Sequence, residues 1–239
     1  MNLLYVARRD LAAYLHTWPG YLIIAGVLFV DGGIFTAWVM DGARYSHEVL
    51  EDFFYVSSGI VMIASVLLTM RTVAEERASG TLVLLRTSPV SDAQVIGGKY
   101  LASMGILAML TLLTIHMPLM IFVHGKVAIA HIATGYLGLL ALGSATVAIG
   151  IFSSSLFRSQ MASAMLTAVV IVTLLTAWVM SNLTDPPFSE VLAYAALFDK
   201  HFMPFMEGML TSTALVYYAS ITWVFLMLAT RALEGRRWE

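Results

Sequence analysis

Six long runs of apolar residues, separated by short polar stretches, set the pattern of this chain. A helix needs about 20 apolar residues to cross a hydrocarbon core of about 30 Å, and each run has roughly that length. Apolar and polar positions do not alternate within the runs, as they would in the strands of a membrane barrel, so each run predicts a spanning helix. The predicted spans lie near residues 19–40, 53–71, 98–123, 132–157, 161–181 and 211–231.

A shorter amphipathic segment precedes the first span. Leu4 and Leu11 fall on one helical face, and Arg9 falls on the opposite face. Such a helix is suited to lie in the membrane interface with its apolar side toward the lipid. The tripeptide Trp18-Pro19-Gly20 is expected to break this helix, over residues 1–17, from the first span.

The composition agrees with an integral membrane protein. Of 239 residues, 59% are hydrophobic and only 12% are charged, against roughly 25% charged residues in soluble domains. The mean hydropathy of +0.84 is too high for a soluble fold of this length to hide its apolar surface. There are no cysteines, which excludes disulfides, thiol catalysis and cysteine metal sites.

The distribution of Lys and Arg predicts that both termini lie in the cytoplasm, since cytoplasmic loops are enriched in these residues. With that orientation, the inner segments carry ten of the 13 cations and the outer segments carry three. The inner ones are Arg8, Arg9, Arg71, Arg77, Arg86, Lys99, Arg158, Arg231, Arg236 and Arg237. The outer ones are Arg44, Lys126 and Lys200.

The segment 72–97 between the second and third spans holds a dense group of charges. Glu75, Glu76 and Arg77 are predicted to continue the second helix into solvent, and Gly80 suits the left-handed residue that often ends a helix. Ser91 and the three residues that follow fit a capping box at the start of the next helix.

A second, shorter helix is predicted between these two ends. Thr81 can cap its start, Leu82 and Leu85 lie one turn apart, and Arg86 stands at their rim. The pair Ser88-Pro89 ends it, because the residue before proline is disfavoured in a helix. A short exposed helix of this kind is suited to dock in a groove of another protein. A hairpin that only covers its own bundle is the open alternative.

The tetrapeptide GGKY at residues 97–100 is not a phosphate-binding loop. The G-x-x-x-x-G-K-[ST] pattern requires Gly at position 93 and Ser or Thr at position 100, where this chain has Ala93 and Tyr100. The sequence therefore predicts no ATP site of this type in the chain, and it also indicates neither a catalytic residue nor a nucleic-acid partner.

Asp31 is the one carboxylate predicted within a span. An acid at that depth is costly unless it faces protein or water, so Asp31 is a candidate pathway residue, with a hydrogen-bonded structural role as the open alternative. His116, His124 and His131 are spaced loosely and lack carboxylate or thiol neighbours in the sequence, so they predict ordinary interfacial histidines and no metal site.

The segment 183–210 is the longest predicted outer segment. Its aromatic and amphipathic character predicts two short helices at the outer leaflet, because a plain loop would be more polar. These helices are expected to cap or gate an outer exit, with Phe202, Phe205 and Gly208 as candidate gate residues.

The run AEERASGTLVLLRTSPVSDAQVIGGKYLA resembles the cytoplasmic signature of ABC-2 type transporter permeases. In that family a Glu-rich helix end, Gly-Thr, a leucine pair and Ser-Pro-[Val/Ile]-Ser precede Gly-Lys and the next span. The similarity extends to residues 134–164 and 201–238, and so covers nearly the whole chain. It is strongest to the branch of gliding-motility permeases, which is related to the permease that assists copper-site assembly in nitrous oxide reductase.

The resemblance implies an all-α integral membrane domain over residues 1–239 and a half-transporter in the bacterial cytoplasmic membrane. Two such permeases, identical or closely paralogous, would associate, and two separate ATPase subunits would bind ATP and magnesium. Thr81–Ser88 would be the coupling helix in the ATPase cleft, with Glu75, Glu76 and Arg86 at its polar margin. Residues 1–17 would be the elbow helix, and the chain itself would carry no cofactor.

Three other functions are left to weigh against ATP-driven export. An ABC-type machine can instead transmit force to an outer or periplasmic partner, a role that would act through the surface near 183–210. An intramembrane hydrolase would need a Ser-His or paired-Asp arrangement, and Asp31 is the only carboxylate predicted at membrane depth. A purely structural scaffold would leave the charged segment without a role.

Overall fold

The computed structural model describes residues 2–39, 45–80, 91–125 and 127–235. Its helices are α1 (Asn2–Leu15), α2 (Trp18–Ile34), which a π-helix (Phe35–Val39) continues, α3 (Ser46–Thr69), α4 (Ala74–Ala78), α5 (Asp92–Leu113), α6 (His116–His124), α7 (Ile129–Leu156), α8 (Gln160–Asn182), α9 (Phe188–Ala195), α10 (Met203–Met206) and α11 (Ser212–Gly235). Helix makes up 84%, and no strand occurs in these ranges, which confirms the all-α fold class.

Six segments of the described chain are long and apolar enough to cross a membrane, as the hydrophobic pattern predicts. They are Gly20–Val39, Ser46–Ala78, Asp92–Val123, Ile129–Leu156, Gln160–Asn182 and Ser212–Gly235. The first, fifth and sixth leave most of their surface outside the protein, and large apolar side chains such as Phe29, Val169 and Trp223 are exposed on them. Exposed apolar surface on this scale fits lipid contact.

Helix α7 is the most buried of the six and forms the centre of the bundle. Small residues let neighbouring helices approach its backbone, as the glycines of this span predict. A Cβ atom at Gly138 would lie 2.6 Å from Phe205 Cβ, and one at Gly143 would lie 2.5 Å from Leu107 Cδ2. Both distances are too short for real contacts, so a side chain at Gly138 would displace the base of Phe205, and one at Gly143 would displace the flexible end of Leu107.

The third span is broken between α5 and α6, just before Pro118. The α5 helix ends at Leu113, one turn before Pro118. The proline ring conflicts with the carbonyl group four residues earlier, at Thr114, and a proline lacks the N–H that would bond to it. Pro118 therefore lies in the first turn of α6, where this loss is tolerated.

The second span also departs from the expected continuous helix over residues 72–79. The α3 helix ends at Thr69, and the separate helix α4 begins at Ala74. Ser154 of α7 stabilises this break, because its hydroxyl accepts hydrogen bonds from the backbone N–H groups of Val73 (3.1 Å) and Ala74 (3.0 Å). These N–H groups are otherwise orphaned at a helix start.

Helix α1 is separated from α2 at His16 and Thr17, as the sequence predicts, and packs along α5. The glycine pair at 97–98 permits the close approach. A Cβ atom at Gly98 would lie 2.7 Å from Val6 Cβ, and one at Gly97 would lie 3.0 Å from Leu3 Cδ1. The GGKY tetrapeptide therefore packs α5 against α1, although in sequence it looks like the end of a phosphate-binding loop.

Candidate functional site

The described residues on either side of 81–90, at the end of α4 and the start of α5, have the predicted local geometry. Gly80 has φ +74°, the left-handed conformation predicted for the end of α4. The return begins with the predicted capping box: Ser91 N donates to Gln94 Oε1 (3.2 Å), and Gln94 N donates to Ser91 Oγ (3.3 Å). The tip that joins these two positions, residues 81–90, lies outside the described residues, and with it Thr81, Leu82, Leu85, Arg86, Ser88 and Pro89.

Lys99 joins three parts of the chain at the base of this segment. Its side chain is only 2% exposed, and its Nζ atom donates to the Thr72 carbonyl oxygen at 2.6 Å. The same atom lies 3.1 Å from Asp10 Oδ2 and 2.9 Å from Glu76 Oε2. One buried ammonium group thus holds α1, the turn after α3 and α4 against the start of α5.

Arg9 completes what we call the ion cluster, formed by Arg9, Asp10, Glu76 and Lys99. Its guanidinium group donates to Asp10 Oδ1 (2.9 Å) and to Glu76 Oε1 (2.8 Å). Two cations and two carboxylates give the cluster no net charge. Partial burial alone would lower the pKa of Arg9, but the hydrogen bonds and charges of Asp10 and Glu76 raise that pKa on balance.

The expectation that Glu76 is solvated is wrong, because the ion cluster holds it inward. Burial is favoured here since both Lys99 and Arg9 neutralise its charge, which a buried carboxylate requires. Glu75 is exposed as predicted and pairs with Arg71 at 3.0 Å, one turn earlier. Of the two glutamates, Glu75 remains available at the rim of the segment, whereas Glu76 belongs to its base.

The sequence analysis did not single out Lys99 and Asp10. The available signal was a lysine at the start of an apolar span with an acid on the preceding amphipathic helix. Their pairing could not be predicted from the sequence, because 89 residues separate the two.

Beside Asp10 and Lys99, an open cleft of about 310 Å³ lies between α1 and the end of α3. It is lined by Asp10, Tyr14, Arg71, Glu75 and Lys99 among others. Tyr14 donates its hydroxyl to the Leu68 carbonyl there, and burial raises the pKa of that phenol.

Asp31 faces the protein interior, as its position in a span predicts. Its side chain is 3% exposed and accepts a hydrogen bond from Ser57 Oγ at 3.2 Å. A cavity of about 20 Å³ adjoins it, and the hydroxyl-bearing residues Thr111 and Thr114 also line that cavity. Asp31 is far from the ion cluster in the chain and forms a separate feature.

The two short helices predicted in segment 183–210 are α9 and α10, and they lie at the end of the bundle opposite α4. Phe202 and Phe205 are completely buried, with Phe205 against Gly138 of α7. Gly208 has φ +78°, and a Cβ atom there would lie 2.9 Å from the His131 ring. In this structure the two phenylalanines pack as core residues, and their role in gating stays a prediction.

Aromatic residues fix this cap to α11. Tyr217 donates its hydroxyl to the Ala195 carbonyl (2.7 Å), and Tyr218 donates to the Leu197 carbonyl (2.8 Å). The His201 ring stacks on Tyr217 with 3.7 Å between centroids, and its Nε2 atom lies 3.0 Å from the Tyr194 carbonyl oxygen. Burial lowers the pKa of His201.

The histidines considered in the sequence have separate surroundings. His116 Nδ1 lies 2.9 Å from the Leu113 carbonyl oxygen, and His131 bonds to the Met206 carbonyl oxygen. Across the described ranges, the structure shows no group of three or more His, Asp or Glu side chains placed to hold a metal ion.

Comparison with known proteins adds the family. The family model described as "ABC-2 family transporter protein" matches residues 30–232, which is most of the chain. No curated protein matches the chain.

Proposed function

Because this chain belongs to the ABC-2 family of transporter proteins and is a multi-pass membrane component of an ABC transporter, we propose that it is an export permease driven by a separate ATPase. In this proposal two permeases, identical or closely paralogous, pair in the bacterial cytoplasmic membrane. Each is held by one of two ATPase subunits, which bind and hydrolyse ATP with magnesium. The α4 end of the bundle and both chain termini face the cytoplasm, in agreement with the excess of Lys and Arg in those segments.

The ion cluster is the observation that supports this role most strongly. It ties α4, which precedes residues 81–90, to α5, which follows them, and it ties both to α1. A push on the intervening segment would therefore move the ends of the second and third spans together with the elbow helix, instead of bending one loop. Packed interfaces of this kind transmit motion as rigid units.

The contact with the ATPase is assigned to the leucines of the segment. Leu82 and Leu85 would fill the cleft of the ATPase, and Glu75 and Arg86 would stand at its polar margin. Glu76 is removed from that margin, because the structure places it in the ion cluster. The proposal thus divides the charged segment into a docking tip and an anchored base.

Transmission of force to an outer partner is the second candidate. The observation that favours it is the apolar surface of α9, where Phe188 and Val191 are 70% and 66% exposed at the end of the bundle opposite α4. In this case the same ATPase strokes would alter the α9–α10 surface, and bulk substrate would not cross. The gliding-motility resemblance of the sequence is compatible with either role.

A reconstituted complex separates the proposals. The permease is co-expressed with a candidate ABC ATPase subunit from the same genome, purified in mild detergent, and examined by native mass measurement. We expect two permeases with two ATPase subunits, whereas one permease with two ATPase subunits would contradict the paired arrangement. In vesicles, ATP-dependent accumulation of a candidate substrate supports export, and ATP-dependent protection of α9 without accumulation supports force transmission.

A further inference from the structure

Asp31 lies deep within the first span. It follows Gly20, the first residue of the span, by 11 residues, or about 17 Å of helical rise. That places the carboxyl group near the middle of a hydrocarbon core of about 30 Å. Its side chain is only 3% exposed, so protein and not lipid surrounds it.

The polar surroundings of Asp31 do not suit a permanent negative charge. In the described part of the chain the one hydrogen bond to its carboxyl group comes from Ser57 Oγ, at 3.2 Å, and none of the ion pairs includes it. An ionised carboxylate buried among apolar residues needs a counter-ion or several strong donors. The neutral acid needs neither.

The cavity beside Asp31 has the size of a site for one water molecule. Its volume is about 20 Å³, and a water needs only about 10–15 Å³ of such space together with two to four polar partners. Seven apolar residues form most of its wall, and the polar residues that line it, Asp31, Ser57, Thr111 and Thr114, come from three different spans. The Thr114 hydroxyl also contacts the Tyr136 hydroxyl of α7 at 3.1 Å, which extends the polar cluster to a fourth span.

Two irregular helix positions adjoin this cluster. The π-helix Phe35–Val39 begins four residues after Asp31, and Thr36 Oγ1 donates to the Gly32 carbonyl oxygen at 2.8 Å. The break between α5 and α6 lies at Thr114, which lines the cavity. Single π-turns within α-helices are frequent at functional sites, and a broken helix can rearrange without unfolding.

From these observations we propose that Asp31 and the polar residues of the adjoining cavity form an exchangeable proton-binding site beside the π-helix and the α5–α6 break. A hydronium ion gives its proton to the carboxylate, which leaves the neutral acid and one water. On release, the proton passes from the acid O–H group to a water in the cavity, and the carboxylate then takes hydrogen bonds from the hydroxyl groups and from water. The titratable neighbours are His116 on α6, which is exposed, and Tyr136 on α7, and both interact electrostatically with Asp31. The inference does not depend on the proposed ATPase partner.

Infrared spectroscopy of the full-length permease in lipid nanodiscs tests the proton directly. The difference spectrum between wild type and Asp31→Asn at neutral pH should contain the C=O stretching band of one carboxylic acid. In Ser57→Ala the band should persist and move to higher frequency, because the carboxyl group loses a hydrogen bond. Transfer to heavy water should shift the band, since the proton exchanges. The control Asp185→Asn alters an exposed carboxylate and should show carboxylate bands only.

The result that overturns the proposal is a pair of carboxylate bands for Asp31 at neutral pH, which would require a bound cation or an ionised resting state. A carboxylic acid band that never responds to heavy water would equally overturn it, because the proton would then be structural. If Asp31→Asn does not fold, titration of wild type replaces it. As the pH rises, one carboxylic acid band should then persist after the carboxylic acid bands of the exposed acidic side chains have disappeared. The absence of such a band would contradict the proposal.

Discussion

Lys99 Nζ lies 2.9 Å from Glu76 Oε2, and this contact closes the base of the segment between the second and third spans. Glu76 belongs to the last helix before residues 81–90, and Lys99 lies in the first turns of the helix after them. Asp10 of α1 shares the same ammonium group at 3.1 Å. The base is therefore one charge-neutral unit, to which three helices contribute.

Removal of the Lys99 charge should destabilise this unit. Lys99→Met keeps most of the side-chain volume but leaves two carboxylates with Arg9 alone, and breaking a buried ion pair in this way costs about 3–5 kcal/mol. We expect a value near the low end, because Asp10 and Glu76 are 14% and 18% exposed. Unfolding of the purified permease by heat or denaturant measures the loss, and the double variant with Glu76→Gln should lose less than the sum of the single variants.

The matched control is Lys200→Met, which removes an exposed cation at the opposite end of the bundle. It should change stability by no more than about 0.5 kcal/mol, as is usual for surface positions. Equal effects of Lys99→Met and Lys200→Met would show that the cluster does not hold the base together.

Close packing of α1 on α5 predicts a strong effect of a single methyl group at Gly98. In Gly98→Ala the new Cβ would meet Val6 Cβ at 2.7 Å, so α1 must shift, and overpacking of this kind costs about 1–3 kcal/mol. Limited proteolysis within α1 and thermal unfolding report the shift. Gly26→Ala is the control, since nothing lies within 4 Å of its Cβ, and this variant should be neutral or gain stability from higher helix propensity.

If Gly98→Ala proves as stable and as resistant to protease as Gly26→Ala, then α1 does not rest on α5 in the way described. The interpretation of GGKY as a close-packing element would then be wrong.

Burial of His201 gives the outer cap a defined dependence on pH. Its lowered pKa means that the folded protein binds fewer protons than the unfolded chain, in which the pKa is about 6.5. The stabilisation is therefore complete above about pH 6.5 and is lost as the pH falls below that value. Lys200 next to it acts in the same direction. The melting temperature of wild type should fall more between about pH 7.5 and 5.5 than that of His201→Phe, which retains the stack on Tyr217.

His47→Gln serves as the comparison for this prediction, because His47 is exposed. It should retain the pH response of wild type. A response that His201→Phe leaves unchanged would assign the pH dependence to other groups.

Local sequence signals predicted the spans and several of their helix ends well. The apolar runs predicted six spanning helices, Gly80 predicted a left-handed helix end, and Ser91 predicted a capping box, because each of these depends on a few adjacent residues. The break at Thr69 was missed because Ser154, 80 or more residues away, stabilises it. The ion cluster was missed for the same reason, since Lys99 meets Asp10 only after two spans have folded together.

In the proposed complex, residues 81–88 dock in an ATPase while their base is anchored in the permease. Full burial of one leucine is worth about 1.5–3 kcal/mol, so Leu82→Ser with Leu85→Ser should weaken the ATPase complex by several hundred-fold or more. Charge reversal at Arg86 should weaken it less, and in a salt-dependent way, as expected for a rim contact. Leu210→Ser changes a leucine that is 58% exposed in the segment joining α10 to α11, away from the α4 end, and should leave the complex intact.

Co-purification of the ATPase with each variant, together with thermal unfolding of the permease alone, is the most direct measurement. The double leucine variant should lose its ATPase while the melting temperature of the permease stays that of wild type. A variant that keeps its ATPase but melts at a lower temperature would show that residues 81–88 pack on their own bundle, and it would contradict the coupling role.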